Sequence, residues 1–103
     1  MQMRIAVLAV VALVSTSTAH AAGNVEAGRR LVNTSCNTCH VAPEAPAGTD
    51  AAPPFAAIAR DNRERPGWIR TWLTDPHPPM QGISLTRQQI DDVVAYLTTL
   101  PVQ

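Results

Sequence analysis

The stretch that decides how this 103-residue chain folds is Cys36-Asn37-Thr38-Cys39-His40, which has the pattern C-x-x-C-H. Two thiols at this spacing with an adjacent imidazole are typical of a covalent attachment site for c-type haem. The spacing suits two thiols that add across the two vinyl groups of one porphyrin, and the neighbouring histidine can then bind the iron. We therefore predict that Cys36 and Cys39 bind haem and that His40 ligates the iron.

Three other chemistries use the same residue types. A structural disulfide between the two cysteines would suit an exported protein. A thioredoxin-like redox pair expects a βαβ context, of which the sequence has no trace. A structural zinc site needs four ligands, and His77 would have to supply the fourth. Adjacent Cys39 and His40 are poorly placed to share one tetrahedral ion, and the helical pattern described below favours haem over all three.

The N-terminal segment has the layout of a secretory signal. Arg4 precedes an apolar run at residues 5–14, and a short polar stretch then leads to Ala19-His20-Ala21, an A-x-A cleavage site. Ten apolar residues are few for a membrane span, which takes about 20. An uncleaved membrane anchor is the alternative. We predict a signal peptide at residues 1–21, a domain at residues 22–103 and a location in the periplasm.

The composition limits the class of partner. The chain has eight basic and eight acidic residues, a formal net charge of zero, and its basic residues are all arginines. Nucleic-acid binding therefore has no support, and a strongly charged docking surface is not apparent. A domain as small as residues 22–103 often needs a disulfide, a metal or a cofactor for stability.

Met80 is the methionine that remains once the predicted signal is removed, and it follows a proline-rich loop at residues 76–79. Methionines often fill gaps in a hydrophobic core, but Met80 lies outside any apolar helical stripe and so is not at a usual core position. We therefore predict Met80 as the second axial ligand, because a thioether raises the reduction potential relative to a second histidine. His77 is the rival ligand. An open sixth position, which would bind small gases or peroxide, is the remaining alternative.

Helical signals cover most of the predicted domain. Asn24 is a suitable N-cap for a helix that runs to about Ser35 and places Val25, Gly28 and Val32 on one face. Residues 41–54 lack periodicity and predict a loop, after which Pro54 opens a short helical turn with Phe55, Ile58 and Ala59 facing inward.

The second half of the domain predicts two further helices. The polar residues 60–65 predict a solvated connection, and Pro66 suits the first turn of a helix whose apolar stripe is Trp68, Ile69, Trp72 and Leu73. Thr86 and Gln89 form a capping box for the last helix, whose apolar face is Ile90, Val93, Val94, Leu97 and Leu100. The fold class is therefore all-α, with three to four helices and long loops.

The predicted domain resembles a class I monohaem cytochrome c of the bacterial, exported kind. Residues 23–32, followed by the C-x-x-C-H motif, match the N-terminal helix of that family. The resemblance implies that Gly28 lets the terminal helices cross tightly against Tyr96. Val32 departs from the family, which usually has Phe or Tyr there.

Two further segments carry the resemblance. Ala52-Pro53-Pro54-Phe55 is similar to the G-P-x-L segment of the family, which implies that Pro53 or Pro54 accepts a hydrogen bond from the second nitrogen of His40. Residues 72–80 resemble the W-L-x-x-P approach to the ligand methionine in bacterial members, although Gln81 replaces a frequent proline.

The resemblance implies a cytochrome c fold around one covalently bound haem c with His40 and Met80 as axial ligands. It implies a soluble, monomeric one-electron carrier rather than an enzyme, without a stable membrane anchor. Its partners would be an exported or membrane-bound dehydrogenase, reductase or oxidase. Core packing is the favoured role for Trp68 and Trp72, and a hydrogen bond from one indole to a haem propionate is the alternative. Arg60, Arg63 and Arg65 are expected to be solvated, although one of them could reach a propionate.

Overall fold

The computed structural model describes residues 23–46, 48–49, 51–75 and 80–101. Within these ranges the chain is helical apart from its loops and a single bridge that pairs Ala42 with Ala45, and the all-α prediction is confirmed. The elements in chain order are α1 (Val25–Leu31), a π-helical turn (Val32–Cys36), α2 (Phe55–Asn62), α3 (Pro66–Thr74), a 3-10 turn (Met80–Gly82) and α4 (Arg87–Leu97). The predicted signal peptide and His77 lie outside the described residues.

The crossing of α1 and α4 depends on a glycine. A Cβ atom on Gly28 would lie 2.0 Å from the carbonyl oxygen of Asp92 and 2.9 Å from the Cβ atom of Tyr96. Only a residue without a side chain allows the two backbones to approach this closely. Tyr96 and Val32 are both buried at this contact region of the core. The predicted tight crossing at Gly28 is confirmed, and Val32 is buried at the position where the family usually has an aromatic residue.

The start of α1 is held by its own cap and by α4. The Asn24 side chain accepts a hydrogen bond from the backbone N–H of Ala27 at 2.8 Å, which confirms the predicted N-cap. The backbone N–H of Asn24 donates to the buried carboxylate of Asp92 at 2.7 Å. Gln88 donates to the same carboxylate oxygen at 2.8 Å. Asp92 therefore fixes the first helix against the last one.

The first helix differs from the prediction in two respects. Its last turn is π-helical. In that turn the side chains of Asn33 and Thr34 donate to the carbonyls of Arg29 and Arg30 at 2.9 and 2.7 Å, where they compete with the backbone ladder. Val25 was expected on the inner face but is 42% exposed in the first turn of α1.

The second helix is longer than predicted. It includes residues 60–62, which were expected to form a solvated connection, and Asn62 is buried. The prediction is wrong there because internal acceptors satisfy the polar groups. Asn62 Nδ2 donates to the carbonyl of Ile58 at 3.0 Å, and the Arg63 guanidinium donates to the carbonyl of Leu100 at 2.5 Å. The Arg63 side chain thus connects the end of α2 to Leu100.

The last helix matches its prediction closely. Thr86 Oγ1 accepts from the N–H of Gln89 at 3.1 Å, and the Gln89 side chain accepts from the N–H of Thr86 at 2.8 Å, so the capping box is present. The predicted apolar face is buried in the core: Ile90, Val93, Val94, Leu97 and Leu100. Among the described residues, no helix has the length and apolar character that a membrane crossing requires.

Candidate functional site

A cavity of about 690 Å³ opens between the C-x-x-C-H segment, the helices and the 3-10 turn. This volume is in the range of sites that hold small molecules and cofactors. All four residues predicted from the sequence to hold the haem or its iron line this one cavity: Cys36, Cys39, His40 and Met80. The fold therefore brings together residues that are up to 44 positions apart in the chain.

The two thiols lie in different environments. Cys36 is buried at the end of the π-helical turn, whereas Cys39 is exposed, and both are free cysteines. Burial raises the pKa of the Cys36 thiol to about 11, so this sulfur is protonated near neutral pH. The chain turns sharply here, because the N–H of His40 donates to the carbonyl of Cys36 at 3.0 Å. Since both thiols are free, the structure has no disulfide between Cys36 and Cys39.

The His40 imidazole is fixed by a backbone carbonyl. The side chain is buried, with 8% of the residue exposed, and Nδ1 lies 2.6 Å from the carbonyl oxygen of Pro53. Because that oxygen can only accept, Nδ1 carries the proton, and Nε2 keeps its lone pair for a metal. The acceptor is Pro53 and not Pro54, which decides between the two prolines of the predicted G-P-x-L-like segment.

Met80 reaches the cavity from a different part of the chain. It is half-buried and is the first residue of the 3-10 turn, in which the N–H of Ile83 donates to the carbonyl of Met80 at 2.9 Å. Met80 and His40 line the same cavity. His77, the rival ligand, lies outside the described residues.

The two tryptophans of α3 line the cavity instead of filling the core. Their rings stack at a centroid distance of 5.2 Å and an interplanar angle of 14°, and the residues are 42% and 44% exposed. The prediction of core packing for Trp68 and Trp72 is therefore wrong. On the apolar stripe of α3, Ile69 is buried, whereas the two indole rings form part of the cavity wall.

A polar corner of the cavity was missed by the sequence reasoning. Asp61 and Asn62 both line the cavity from the last turn of α2. The Arg65 guanidinium donates to Asn62 Oδ1 at 2.8 Å and lies 5.4 Å from the centre of the Trp68 ring, where a cation is attracted to the aromatic face. The signal was present in the sequence, because Asn62 follows Phe55 and Ala59 at helical spacing, but its polar character suggested a loop.

The donor set suits a porphyrin better than a bare metal ion. Within the described ranges, no group of three or more His, Cys, Asp or Glu side chains is placed to hold a metal, so the zinc alternative has no support there. The cavity instead combines two thiols, one imidazole and one thioether with a wall that is mainly aliphatic and aromatic. Apolar members of the wall include Phe55, Ile58, Ile69, Leu73, Ile83, Leu85, Val93 and Leu97. A large flat apolar group with a central metal fits these residues.

Comparisons with known proteins agree with this chemistry. A family model described as cytochrome c matches residues 25–101, most of the chain. Cytochrome c-552 of Bradyrhizobium diazoefficiens is 33% identical over 92 residues, which cover 88% of this chain and 88% of that protein. Among solved structures, none gives a significant match.

Proposed function

We propose that this chain, which belongs to the cytochrome c family, binds its haem c through Cys36 and Cys39 and ligates the iron with His40 and Met80. The observation that carries the proposal is the meeting of these four side chains in one cavity, where His40 offers an unprotonated Nε2. The family has a covalently bound haem c and transfers electrons, so the chain is a haem-containing electron carrier with the cytochrome c fold. The assignment of Cys36, Cys39, His40 and Met80 to the haem and its iron is our proposal.

Each cysteine has a defined chemical task. Each thiol would hold the haem through a thioether, formed by addition of its S–H across one vinyl group, and this addition needs no external oxidant or reductant. Two such bonds would prevent loss of the haem from a domain too small to enclose it fully. Cys36 would hold the haem from a buried position and Cys39 from an exposed one.

His40 and Met80 have complementary tasks. The Nδ1–H group of His40 donates a hydrogen bond to the carbonyl oxygen of Pro53. This bond orients the ring and makes Nε2 a better electron donor. Met80 supplies a soft, neutral sulfur, which stabilises Fe(II) relative to Fe(III) and so raises the potential. When bound, the haem supplies a one-electron Fe(III)/Fe(II) couple. With two protein ligands in place no position is left for a substrate, so the proposed activity is electron transfer and not catalysis.

The cellular setting follows from the N-terminal segment. We propose that residues 1–21 are a signal peptide, that cleavage follows Ala21, and that residues 22–103 work in the periplasm as a soluble monomer. The family match begins at residue 25, just after the proposed cleavage site, which supports this boundary. Electron transfer requires redox partner proteins, and we propose exported or membrane-bound dehydrogenases, reductases or oxidases. Such redox encounters involve small and transient interfaces.

Purification of the exported protein tests this setting. We expect an N-terminal sequence that begins at Ala22, haem that stays with the polypeptide under denaturing conditions, and elution from a sizing column as a monomer. A mature protein that still carries residues 1–21 would contradict the export proposal. Haem that separates from the denatured chain would contradict thioether attachment at Cys36 and Cys39.

A further inference from the structure

We infer that Phe55 is a positioning residue that sets the plane of the His40 imidazole. The two rings are in edge contact, with centroids 5.1 Å apart and an interplanar angle of 61°. Aromatic rings prefer such T-shaped arrangements, so the contact favours one rotation of the imidazole over others. The inference rests on the proposed function, because the plane of His40 affects the haem only if His40 ligates the iron.

The hydrogen bond to Pro53 alone does not fix this plane. A carbonyl acceptor tolerates a broad range of donor directions, so the bond sets which nitrogen carries the proton more firmly than it sets the rotation of the ring. The Phe55 ring provides a second constraint from a different direction. Together, one polar and one aromatic contact hold the imidazole at two points.

Phe55 is itself rigidly placed. It is buried and is the first residue of α2, and its backbone N–H donates to the carbonyl of Val41 at 3.0 Å. Since Val41 is the neighbour of His40, this bond joins the two ring-bearing segments directly. This backbone bond and the burial of Phe55 hold its ring next to His40.

The backbone of His40 is held from another side. A Cβ atom on Gly48 would lie 2.1 Å from the carbonyl oxygen of His40, so the loop passes directly against this peptide group. Thr49 Oγ1 donates to the carbonyl of Cys39 at 3.2 Å. With the backbone held by residues 48–49 and Nδ1 bonded to Pro53 over the range of directions that a carbonyl accepts, a limited rotation of the ring is left, and Phe55 restricts it.

The consequence is measurable in the ferric protein. The plane of an axial imidazole determines how unpaired spin spreads over the porphyrin, so the paramagnetically shifted NMR signals of the haem ring methyls report that plane. In the G-P-x-L segment that residues 52–55 resemble, leucine stands at the position of Phe55. Phe55→Leu therefore removes the ring while keeping a buried apolar side chain at this position.

The experiment compares the haem-methyl NMR spectra of the ferric holoprotein and four variants. Phe55→Leu and Phe55→Met are two independent variants without a ring, and Phe55→Tyr retains the ring. Ala56→Ser is the matched control, because Ala56 is the exposed neighbour of Phe55 in the same helix and does not line the cavity. Two ring-free variants are used so that poor folding of one does not prevent the test.

We expect a changed spread and order of the methyl signals in the ring-free variants, and spectra close to wild type in Phe55→Tyr and Ala56→Ser. Ring-free variants that match wild type, or a Phe55→Tyr or Ala56→Ser change as large as theirs, would overturn the inference. The absorption spectrum of the wild-type protein distinguishes failure of this inference from failure of the proposed function. A spectrum without His40 ligation would refute the proposed function itself.

Discussion

The two sides of the cavity hold their proposed iron ligands in different ways. His40 is buried, its Nδ1 is bonded to Pro53, and its ring meets Phe55. Met80 is half-buried and begins a three-residue turn that is closed by a backbone hydrogen bond from Ile83. The His40 side is therefore the more firmly held, and we expect the domain to tolerate loss of the Met80 ligand better than loss of the His40 ligand.

The largest effect is expected from His40→Ala. Both the attachment segment and the proposed ligand on the fixed side are disturbed, so we expect the yield of haem-containing protein to fall at least about tenfold, as losses around metal ligands commonly do. Haem staining of the exported protein after denaturing electrophoresis measures this. A yield equal to that of Met80→Ala would break the comparison, because the two sides would then be equally dispensable.

Met80→Ala is expected to leave the haem attached and to change its chemistry. The reduction potential should fall by on the order of 0.1 V, a part of the roughly 0.8 V range that axial ligands span. Ferrous protein should also bind carbon monoxide readily at neutral pH. Potentiometric titration with and without carbon monoxide measures both effects. An unchanged potential would point to His77 as the ligand.

Gly28→Ala tests the frame that both sides share. The added Cβ would meet the backbone of Asp92 in α4, so we expect destabilisation by about 1–3 kcal/mol, as for other overpacked sites, with the axial ligands unchanged. Gly67→Ala is the matched control, because a Cβ on that helical glycine has no heavy atom within 4 Å. Urea unfolding of the holoproteins measures both variants. Equal stability of the two would show that the helix crossing is not tight.

The smallest effect is expected at the exposed ion pairs around Arg29. This side chain bonds to Glu26 in α1 and to Glu44 in the loop that follows His40. The hydrogen bond from Arg29, together with the nearby positive charges, lowers the pKa of Glu26. A lowered folded-state pKa means that the stabilisation is present above the ordinary pKa of glutamate and is lost as the pH falls through the folded-state value.

Glu26→Gln should therefore shift the urea midpoint only slightly near pH 7. The difference from wild type should shrink in acid, as the pH falls through the folded-state pKa of Glu26, and in high salt. Urea titrations under the three conditions measure this. A difference that persists in acid would show that Glu26 acts through packing and not through its charge.

Features that depend on neighbouring residues could be predicted from the sequence. The cap at Asn24, the capping box at Thr86 and the C-x-x-C-H motif are all local, because the chemistry that each requires lies within a few positions. The crossing at Gly28 was implied by the resemblance to the family and not by a local pattern. Met80 was predicted because it is the methionine that remains after the predicted signal peptide. The local features were sufficient for the fold class and for the C-x-x-C-H part of the site.

Features that depend on the path of the chain could not be predicted in this way. Pro53 and Pro54 have the same local properties, and only the folded loop decides which carbonyl meets His40. The helical stripe of α3 identified Trp68 and Trp72 as apolar, but a stripe does not distinguish a core from the wall of a cavity. Asn62 is buried because α2 continues to it, whereas its polar side chain had indicated a solvated connection.

The absorption spectrum of the purified protein, oxidised and reduced, tests the central claim most directly. Ligation by Met80 opposite His40 predicts a weak far-red band in the ferric protein, which arises from charge transfer between sulfur and iron. It also predicts that ferrous protein does not bind carbon monoxide readily at neutral pH. Absence of the far-red band together with ready binding of carbon monoxide would contradict the proposed carrier.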